Sequence, residues 1–321
     1  MRKIAVLTSG GDAPGMNAAI RAVVRCANSM NMEVYGIERG YDGLIKGRLS
    51  RMDSRSVSDT VHKGGTILKT ARCPEFNTEE GIRKGAEVLH AYGVEGLIVI
   101  GGDGSFRGMN DLNKLCGITC VGIPGTIDND LAYTDFTLGF DTAVNTVVDA
   151  LNKIRDTMTS HDRACVIEVM GRHCGDIALY SGIAGGAESI IVPELSFDID
   201  AICNKMNMNI IKGKVSDIIV LAEGVCGCEE LKKEIQDRVK ITIRTVKLGY
   251  LQRGGTPSMA DRVFAARCAD RAVTLLKNDM SGARVVGIKK NSIIDMPVDE
   301  ALKEKRIFNK EMYEMAAKLS F

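Results

Sequence analysis

Two short stretches combine acids and glycines directly after apolar runs that are typical of buried strands. Residues 101–105 contain Asp103, and residues 124–130 contain Asp128 and Asp130. The carboxyl ends of the strands in an open parallel sheet face the ligand crevice, so we expect these carboxylates to converge on one bound molecule. Their types and spacing predict a phosphoryl-transfer site.

Phosphoryl transfer requires a base for the attacking hydroxyl and cations around the transferred group. Asp128 suits the base, because a carboxylate at a strand end can reach a substrate hydroxyl. Asp103 suits a Mg²⁺ contact through water, because Mg²⁺ keeps much of its hydration shell. Arg172 suits the charge on the transferred phosphoryl group. Taken singly, an Asp-Gly or Asp-Asn pair is more typical of a turn or a helix cap, so the prediction rests on the combination.

A glycine-rich turn at residues 8–15 joins a predicted strand to a predicted helix, where main-chain amides can approach a phosphate. The same turn could serve a dinucleotide, with Glu38 as its ribose ligand. The spacing is not Gly-x-Gly-x-x-Gly, however, and Asp12 places a carboxylate where the pyrophosphate would lie. The P-loop pattern is also absent, so a kinase would have to bind phosphates with several short loops. A dehydrogenase is the less favoured alternative.

Short β-branched runs alternate with amphipathic stretches, which is typical of parallel strands joined by right-handed crossovers. The alternation starts again after a long predicted helix at residues 140–159, so we expect two α/β domains. Another helix is predicted between Thr78, as its cap, and Gly93, just past its end. The runs predicted as strands are residues 4–7, 34–37, 97–100, 120–123, 164–169, 189–192 and 218–222.

Composition excludes several classes of protein. The 321 residues include 42 basic and 41 acidic side chains spread along the chain, a balance that indicates neither a nucleic-acid nor a membrane partner. Only four apolar residues follow Lys3, too few for a secretory signal, and no transmembrane segment is predicted. The ten cysteines are scattered, so we expect a reducing compartment, the cytoplasm. Cys226 and Cys228 lack a second ligand pair, so no structural zinc site is predicted.

The motifs taken together resemble the phosphofructokinase family, in particular its bacterial ATP-dependent members, over essentially the whole chain. The matching segments are residues 7–17, 101–105, 124–130, 169–172, 222–224 and 252–255. The resemblance implies two Rossmann-like three-layer α/β/α domains with mostly parallel sheets and the active site in the cleft between them. It implies a larger ATP-binding domain at residues 1–138 plus 252–303, and a smaller sugar-phosphate-binding domain at residues 139–251 plus 304–321.

The resemblance also implies the reaction, the committed step of glycolysis, in which the ATP γ-phosphoryl group moves to the 1-hydroxyl of fructose 6-phosphate with Mg²⁺. The implied catalytic residues are Gly11, Thr126, Asp128 and Arg172. The implied nucleotide site comprises Gly11, Tyr41, Arg72, Cys73, Gly102, Asp103, Gly104 and Ser105, with Asp103 serving the metal. Arg163 and Arg244 would reach in from a neighbouring subunit of a homotetramer. The implied sugar-phosphate site comprises Thr126, Asp128, Asp130, Arg163, Met170, Gly171, Arg172, Glu223, Arg244, Tyr250 and Arg253.

A second anion site is suggested by Arg21 and Arg25, one turn apart on the polar side of a predicted helix, although exposed arginines more often mark a solvated face. By resemblance this is an allosteric pocket for ADP or GDP and phosphoenolpyruvate. Its implied residues are Arg21, Arg25, Arg55, Asp59, Arg155, Gly186, Glu188, Lys212 and Lys214. The sequence departs from the family pattern at Ser54, Val215 and Ser216 in this pocket, and at Asn77, Asp162 and Tyr250 nearer the substrates.

Two glycines favour ATP over pyrophosphate as the phosphoryl donor. Pyrophosphate-using members of the family carry Asp at the position of Gly104 and Lys at that of Gly125, and a side chain at Gly104 would enter the space that a nucleotide needs. Each glycine could instead serve only a tight turn. A pyrophosphate-dependent enzyme and a regulatory subunit without catalysis are the alternatives. Because Asp103, Asp128, Asp130 and Arg172 are all present, the regulatory subunit is disfavoured.

Overall fold

The computed structural model describes residues 1–214 and 216–320. It divides the chain into two compact units. Unit 1 comprises Met1–Ile127, Leu131–Thr142 and Arg253–Arg306, and unit 2 comprises Asp128–Asp130, Ala143–Gln252 and the chain from Ile307 onward.

Helices and strands alternate along most of the chain. The first half contains β1 (Lys3–Thr8), α1 (Met16–Ser29), β2 (Glu33–Ile37), α2 (Gly40–Ile45), β3 (Leu49–Met52), a 3₁₀ helix (Pro74–Asn77), α3 (Glu79–Ala91), β4 (Gly96–Gly101), α4 (Asp103–Cys116), β5 (Thr119–Pro124) and α5 (Phe140–Ser160). The second half contains β6 (Arg163–Val169), α6 (Asp176–Ala184), β7 (Ser189–Ile191), α7 (Ile199–Ile211), β8 (Ile218–Ala222), α8 (Cys228–Gln236), β9 (Thr242–Lys247), a 3₁₀ helix (Gly249–Arg253), α9 (Met259–Lys277), β10 (Ala283–Lys289), β11 (Ser292–Pro297), α10 (Val298–Ala301) and α11 (Lys310–Leu319).

Unit 1 is built on a seven-stranded sheet in the order β11-β10-β5-β4-β1-β2-β3. Its five inner strands run parallel, whereas the edge strands β3 and β11 are antiparallel to their neighbours. Residues 4–7 and 97–100 are fully buried, as expected for strands covered by helices on both faces. The pairs Thr8 with Ile100 and Gly101 with Pro124 align the carboxyl ends of β1, β4 and β5. The three loops that follow these strands therefore leave the same edge of the sheet.

Unit 2 contains a four-stranded parallel sheet in the order β7-β8-β6-β9. Val169 pairs with Ala222, and Glu168 pairs with Lys247, so β6, β8 and β9 also end together. Mostly parallel sheets with helices between most of their strands confirm the predicted α/β fold class.

The predicted helix boundaries agree closely with the structure. Thr78 caps α3, accepting the Gly81 N–H at 3.1 Å, and α5 extends one residue beyond its predicted end. Four strands were not predicted, namely β3, β9, β10 and β11. Three of them, β3, β9 and β11, lie at sheet edges and mix polar with apolar residues, so their apolar signal is weak. No helix in the described part of the chain is long and apolar enough to cross a membrane.

Candidate active site

In unit 1, the glycine-rich turn after β1 lies against the loop after β4. The Ser9 N–H donates to the Ile100 carbonyl at 3.0 Å, and the Thr70 hydroxyl donates to the Gly10 carbonyl at 2.7 Å. Gly10 has φ +87°, a left-handed conformation that favours glycine, and a Cβ built there would lie 3.5 Å from Ser105 Oγ. These contacts bring the turn and the start of α4 together.

Gly11 faces the guanidinium of Arg253. A Cβ at Gly11 would lie 2.5 Å from Arg253 Nη1, and that nitrogen donates to the Asp12 carbonyl at 3.3 Å. Any side chain at Gly11 would therefore displace Arg253 from the turn. The family resemblance implied that Gly11 belongs to the nucleotide site and Arg253 to the sugar-phosphate site. In unit 1 these two residues lie side by side.

Asp103 is the first residue of α4, and its side chain remains 42% exposed. Its carboxylate accepts from Arg107, with Nε at 2.8 Å and Nη2 at 3.2 Å. A Cβ on the neighbouring Gly104 would meet nothing within 4 Å, so open space adjoins the helix N-terminus. A single accessible carboxylate fits Mg²⁺, which usually binds one or two carboxylates together with substrate phosphates. Nowhere in residues 1–214 and 216–320 do three His, Cys, Asp or Glu side chains cluster to hold a metal by themselves.

The loop after β5 is held against the loop after β4. The Gly125 N–H donates to the Gly101 carbonyl at 2.9 Å, and the Thr126 carbonyl accepts from the Thr137 hydroxyl at 2.7 Å. A Cβ at Gly102 would lie 3.7 Å from Thr126 Cβ. Thr126 is therefore placed beside the predicted nucleotide loop.

Gly125 has little room for a side chain. A Cβ there would lie 3.0 Å from Ile100 Cγ2 and 3.2 Å from Met16 Cε, both tighter than ordinary van der Waals contact. A side chain at this position would require its neighbours to move by a few tenths of an ångström.

The remaining predicted nucleotide residues have different environments. Tyr41 is buried, stacks on Phe76 with ring centroids 4.0 Å apart, and donates its hydroxyl to the Ser105 carbonyl at 2.6 Å. Its ring therefore packs within the core, and its hydroxyl contacts the first turn of α4. Burial raises the pKa of the Cys73 thiol, which keeps it protonated near neutral pH. Arg72, in contrast, is exposed.

In unit 2, Asp128 and Arg172 form an ion pair. Arg172 Nε lies 3.8 Å from Asp128 Oδ2, and the acid is 4% exposed whereas the arginine side chain is 68% exposed. A buried carboxylate beside a solvent-facing guanidinium is suited to accept a proton while the cation binds an incoming phosphate. The sequence predicted these two residues for the base and the charge-stabilising role.

The loop after β6 presents Arg172 in a strained conformation. Gly171 has φ +133° and Arg172 has φ +55°, and the Arg172 N–H donates to Glu223 Oε1 at 3.0 Å. A Cβ at Gly224 would lie 2.0 Å from the Arg172 carbonyl oxygen, so glycine is required there. Glu223, predicted to bind substrate, thus also holds the main chain of this loop.

The structure does not bring Arg163 and Arg244 to this end of the sheet. Arg163 begins β6, and Arg244 pairs with Cys165 near the same end, so six residues of strand, about 20 Å, separate Arg163 from Val169. Tyr250, in the 3₁₀ helix that follows β9, is 84% exposed. The assignment of Arg163 and Arg244 to a neighbouring subunit's site stays a prediction.

One pair of residues near Asp128 was not singled out from the sequence. Asn129 has φ +52°, and its side-chain amide donates to Asp176 Oδ2 at 2.7 Å, while its carbonyl accepts from the Cys174 thiol at 3.7 Å. These contacts tie residues 128–130 of unit 2 to the N-terminus of α6. The only sequence signal was the position of Asn129 between the two predicted acids, because Asp176 lies 47 residues away.

Part of the predicted effector site is assembled within unit 2. Glu188 is 4% exposed, and its carboxylate pairs with Lys214 and with Arg155 Nη1, the latter at 3.3 Å, and accepts the Ile218 N–H at 2.6 Å. Arg155 Nη2 also donates to the Gly186 carbonyl at 2.6 Å. Arg155, Gly186, Glu188 and Lys214 therefore form one cluster.

The other predicted effector residues lie on other elements. Lys212 follows the end of α7 and is exposed. In unit 1, Arg21 and Arg25 lie on α1, and Arg55 and Asp59 lie in the loop that contains Ser54. The side chain of Asn28 donates to Ser54 Oγ at 3.4 Å, which links α1 to that loop. Val215 lies outside the described residues.

Comparison with known proteins identifies the family. A family model described as phosphofructokinase matches residues 3–276. Two curated proteins named ATP-dependent 6-phosphofructokinase, each aligned over the full length of both chains, are 58% identical over 320 residues (Clostridium botulinum, strain Hall) and 57% identical over 321 residues (Clostridium tetani). The solved phosphofructokinase structure from Saccharomyces cerevisiae superposes with a TM-score of 0.89 at 33% identity over 99% of this chain, which spans 47% of the yeast chain. The chain described here belongs to the phosphofructokinase family.

Proposed function

We propose that this protein is an ATP-dependent 6-phosphofructokinase, which transfers the γ-phosphoryl group of ATP to the 1-hydroxyl of fructose 6-phosphate and releases ADP. The observation that carries the proposal is the buried Asp128 carboxylate 3.8 Å from the guanidinium of Arg172, a base and a cation on adjoining loops of unit 2. The full-length similarity to curated enzymes of that name supports the same reaction.

The proposed chemistry follows from the environments of these two groups. Asp128 accepts the proton of the 1-hydroxyl as that oxygen attacks the γ-phosphorus, and the bond from the γ-phosphorus to its bridging oxygen breaks. Arg172 meets the charge that develops on the transferred group, and its exposure leaves it free to swing from Asp128 toward the phosphate. Thr126, two residues before Asp128, would contact the same group.

Unit 1 carries the proposed ATP site. Gly104 leaves room for phosphates at the α4 N-terminus, where the helix dipole favours anions, and the β1 turn that contains Gly11 lies against the start of α4. Mg²⁺, held by Asp103 through water together with the ATP phosphates, would supply positive charge against the phosphate oxygens. Arg72 and Cys73 would line the nucleotide, and Tyr41 would hold Ser105 in place.

The test of the proposed function compares two donors. Formation of fructose 1,6-bisphosphate is followed with ATP and with pyrophosphate, and kcat/KM is determined for each. We expect turnover with ATP only. Turnover with pyrophosphate only would identify a pyrophosphate-dependent enzyme, and ATP binding without turnover would identify a regulatory subunit.

Gly104→Asp tests the proposed ATP site. We expect the KM for ATP to rise about 10- to 100-fold, because a carboxylate would enter open space beside the phosphates and like charges placed together cost several kcal/mol. The KM for fructose 6-phosphate stays near the wild-type value. Gly227→Asp is the matched control, since a Cβ at Gly227 also meets nothing within 4 Å. An unchanged KM for ATP in Gly104→Asp would place the nucleotide elsewhere.

The effector site and the homotetramer are also part of the proposal. The cluster at Glu188 places two cations beside one buried acid, and nucleoside diphosphates or phosphoenolpyruvate could displace the acid from them. Arg21, Arg25, Arg55, Asp59 and Lys212 would complete the anion site. A homotetramer would allow Arg163 and Arg244 to reach the sugar phosphate of a neighbouring subunit. Sedimentation equilibrium measures the oligomeric state directly.

Lys214→Met tests the effector cluster. We expect the ADP concentration that gives half of its effect on activity to rise about tenfold, because one hydrogen bond to a charged phosphate is lost. The comparison is Lys153→Met, which removes an exposed lysine that pairs with Asp149 on α5. If the two variants respond identically to ADP, the effector binds away from Lys214.

A further inference from the structure

We propose that Gln252 is a positioning residue for the sugar-phosphate half of the site, holding the loop that carries Met170, Gly171 and Arg172. This inference rests on the proposed function of that loop. Gln252 has no assigned contact with substrate, and its side chain is completely buried. Its role would be exerted through the main chain that it binds.

The amide of Gln252 joins two loops within unit 2. Its Oε1 accepts the Met170 N–H at 3.1 Å, and its Nε2 donates to the Gly249 carbonyl at 3.1 Å. Met170 directly follows β6, and Gly249 begins the 3₁₀ helix after β9. One side chain therefore connects the carboxyl ends of two neighbouring strands.

This connection lies beyond the last main-chain hydrogen bond between β6 and β9. The last main-chain bond between these strands runs from the Leu248 N–H to the Glu168 carbonyl, at 3.1 Å. Beyond it, Gly171 and Arg172 both adopt positive φ, so the loop cannot continue the strand. Gln252 thus replaces the missing main-chain partner of Met170, two residues before Arg172.

The loop is held at both ends by side chains. Gln252 fixes Met170, and Glu223 fixes Arg172 through its N–H at 3.0 Å. The exposed Tyr250 is flanked by Gly249 and precedes Gln252 by two residues, so the same amide fixes the turn that carries Tyr250. Loss of the Gln252 amide would loosen two predicted sugar-phosphate contacts together.

The chemistry requires an amide. The group must accept at one end and donate at the other, and glutamine supplies both at the length of this side chain. Glutamate retains the acceptor for Met170 but places an oxygen against the Gly249 carbonyl, and methionine retains only the shape. Comparing glutamine, glutamate and methionine at position 252 therefore distinguishes the effects of the two hydrogen bonds from the effect of packing.

The test compares wild-type protein with Gln252→Met and Gln252→Glu. We expect kcat/KM for fructose 6-phosphate to fall about 10- to 100-fold in Gln252→Met, mostly through KM, because small misplacements of binding groups cost this much. The KM for ATP stays within about twofold. Gln252→Glu keeps the Met170 contact, so we expect its kcat/KM for fructose 6-phosphate to lie between the values for Gln252→Met and the wild type. Fructose 6-phosphate binding is also measured by calorimetry, which needs no turnover.

Asn113→Leu controls for stability. The Asn113 amide donates to the Ile118 carbonyl at 2.9 Å at the far end of α4, so its loss lowers the melting temperature without touching the proposed site. The inference is overturned if the Gln252 variants lose stability but bind fructose 6-phosphate as tightly as the wild type, or if the KM values for ATP and sugar phosphate rise equally. Wild-type turnover in the same assay tests the proposed function separately.

Discussion

We expect Asp128→Asn to lower kcat about 10²- to 10⁴-fold, the contribution typical of a positioned general base. The amide keeps the size of the side chain, and asparagine can still pack at a position that is 3% exposed. It cannot accept the proton of the attacking hydroxyl. The KM values for ATP and fructose 6-phosphate should therefore change far less than kcat, because the lost interaction belongs to the transition state.

The matched control for this substitution is Asp149→Asn. Asp149 is an exposed acid on α5 whose carboxylate lies 2.5 Å from Lys153, so its removal changes net charge by the same amount away from the loops of the proposed site. Steady-state kinetics on both variants separate a specific loss from a charge effect. If Asp128→Asn retained more than a tenth of wild-type kcat, Asp128 would not be the base.

The second large effect is expected at Arg172. Arg172→Ala should lower kcat about 10²- to 10³-fold, the cost typical of removing one group that stabilises transition-state charge. Alanine also leaves the Arg172 N–H free to bind Glu223, so the loop keeps its main-chain contact. Arg172→Lys should recover only part of the loss, since lysine supplies the charge without the planar fork.

Arg238→Ala is the control for Arg172→Ala. Arg238 is a half-exposed arginine of unit 2 that pairs with Asp200 at 2.6 Å, and we assign it no role in the reaction. Circular dichroism on both proteins establishes that they are folded before kinetics are compared. Equal kcat in the two variants would remove Arg172 from the reaction and leave its pairing with Asp128 as a purely structural contact.

Much of the fold was predictable because the central strands are continuous apolar runs. The runs at residues 4–7, 97–100 and 120–123 became β1, β4 and β5, and their carboxyl ends align as parallel-sheet physics requires. The edge strands β3, β9 and β11 were missed, because their sequences mix polar with apolar residues and contain no continuous apolar run. Their existence depends on neighbours that are distant in sequence.

The candidate site was predictable to a lesser degree. Acids and glycines at strand ends identified Asp103 and Asp128, whereas Tyr41 entered only by resemblance, and the structure places its ring against Phe76 in the core. Asp176 gave no local signal, and Gln252 entered only as the first residue of the matching segment 252–255, with no role assigned to it. A buried polar side chain is explained by its partner, and here those partners lie 47 and 82 residues away. Such pairs become visible only when the chain is folded.

In the proposed reaction, this protein moves the terminal phosphoryl group of ATP to the 1-hydroxyl of fructose 6-phosphate. The most direct measurement is ³¹P nuclear magnetic resonance of a mixture of the protein, Mg²⁺, ATP and fructose 6-phosphate. We predict that the ATP signals convert to ADP while a second sugar-phosphate signal appears, with proton coupling that assigns it to carbon 1. ADP and inorganic phosphate without a new sugar signal, or a phosphate on another carbon, would show that the protein does not catalyse this transfer.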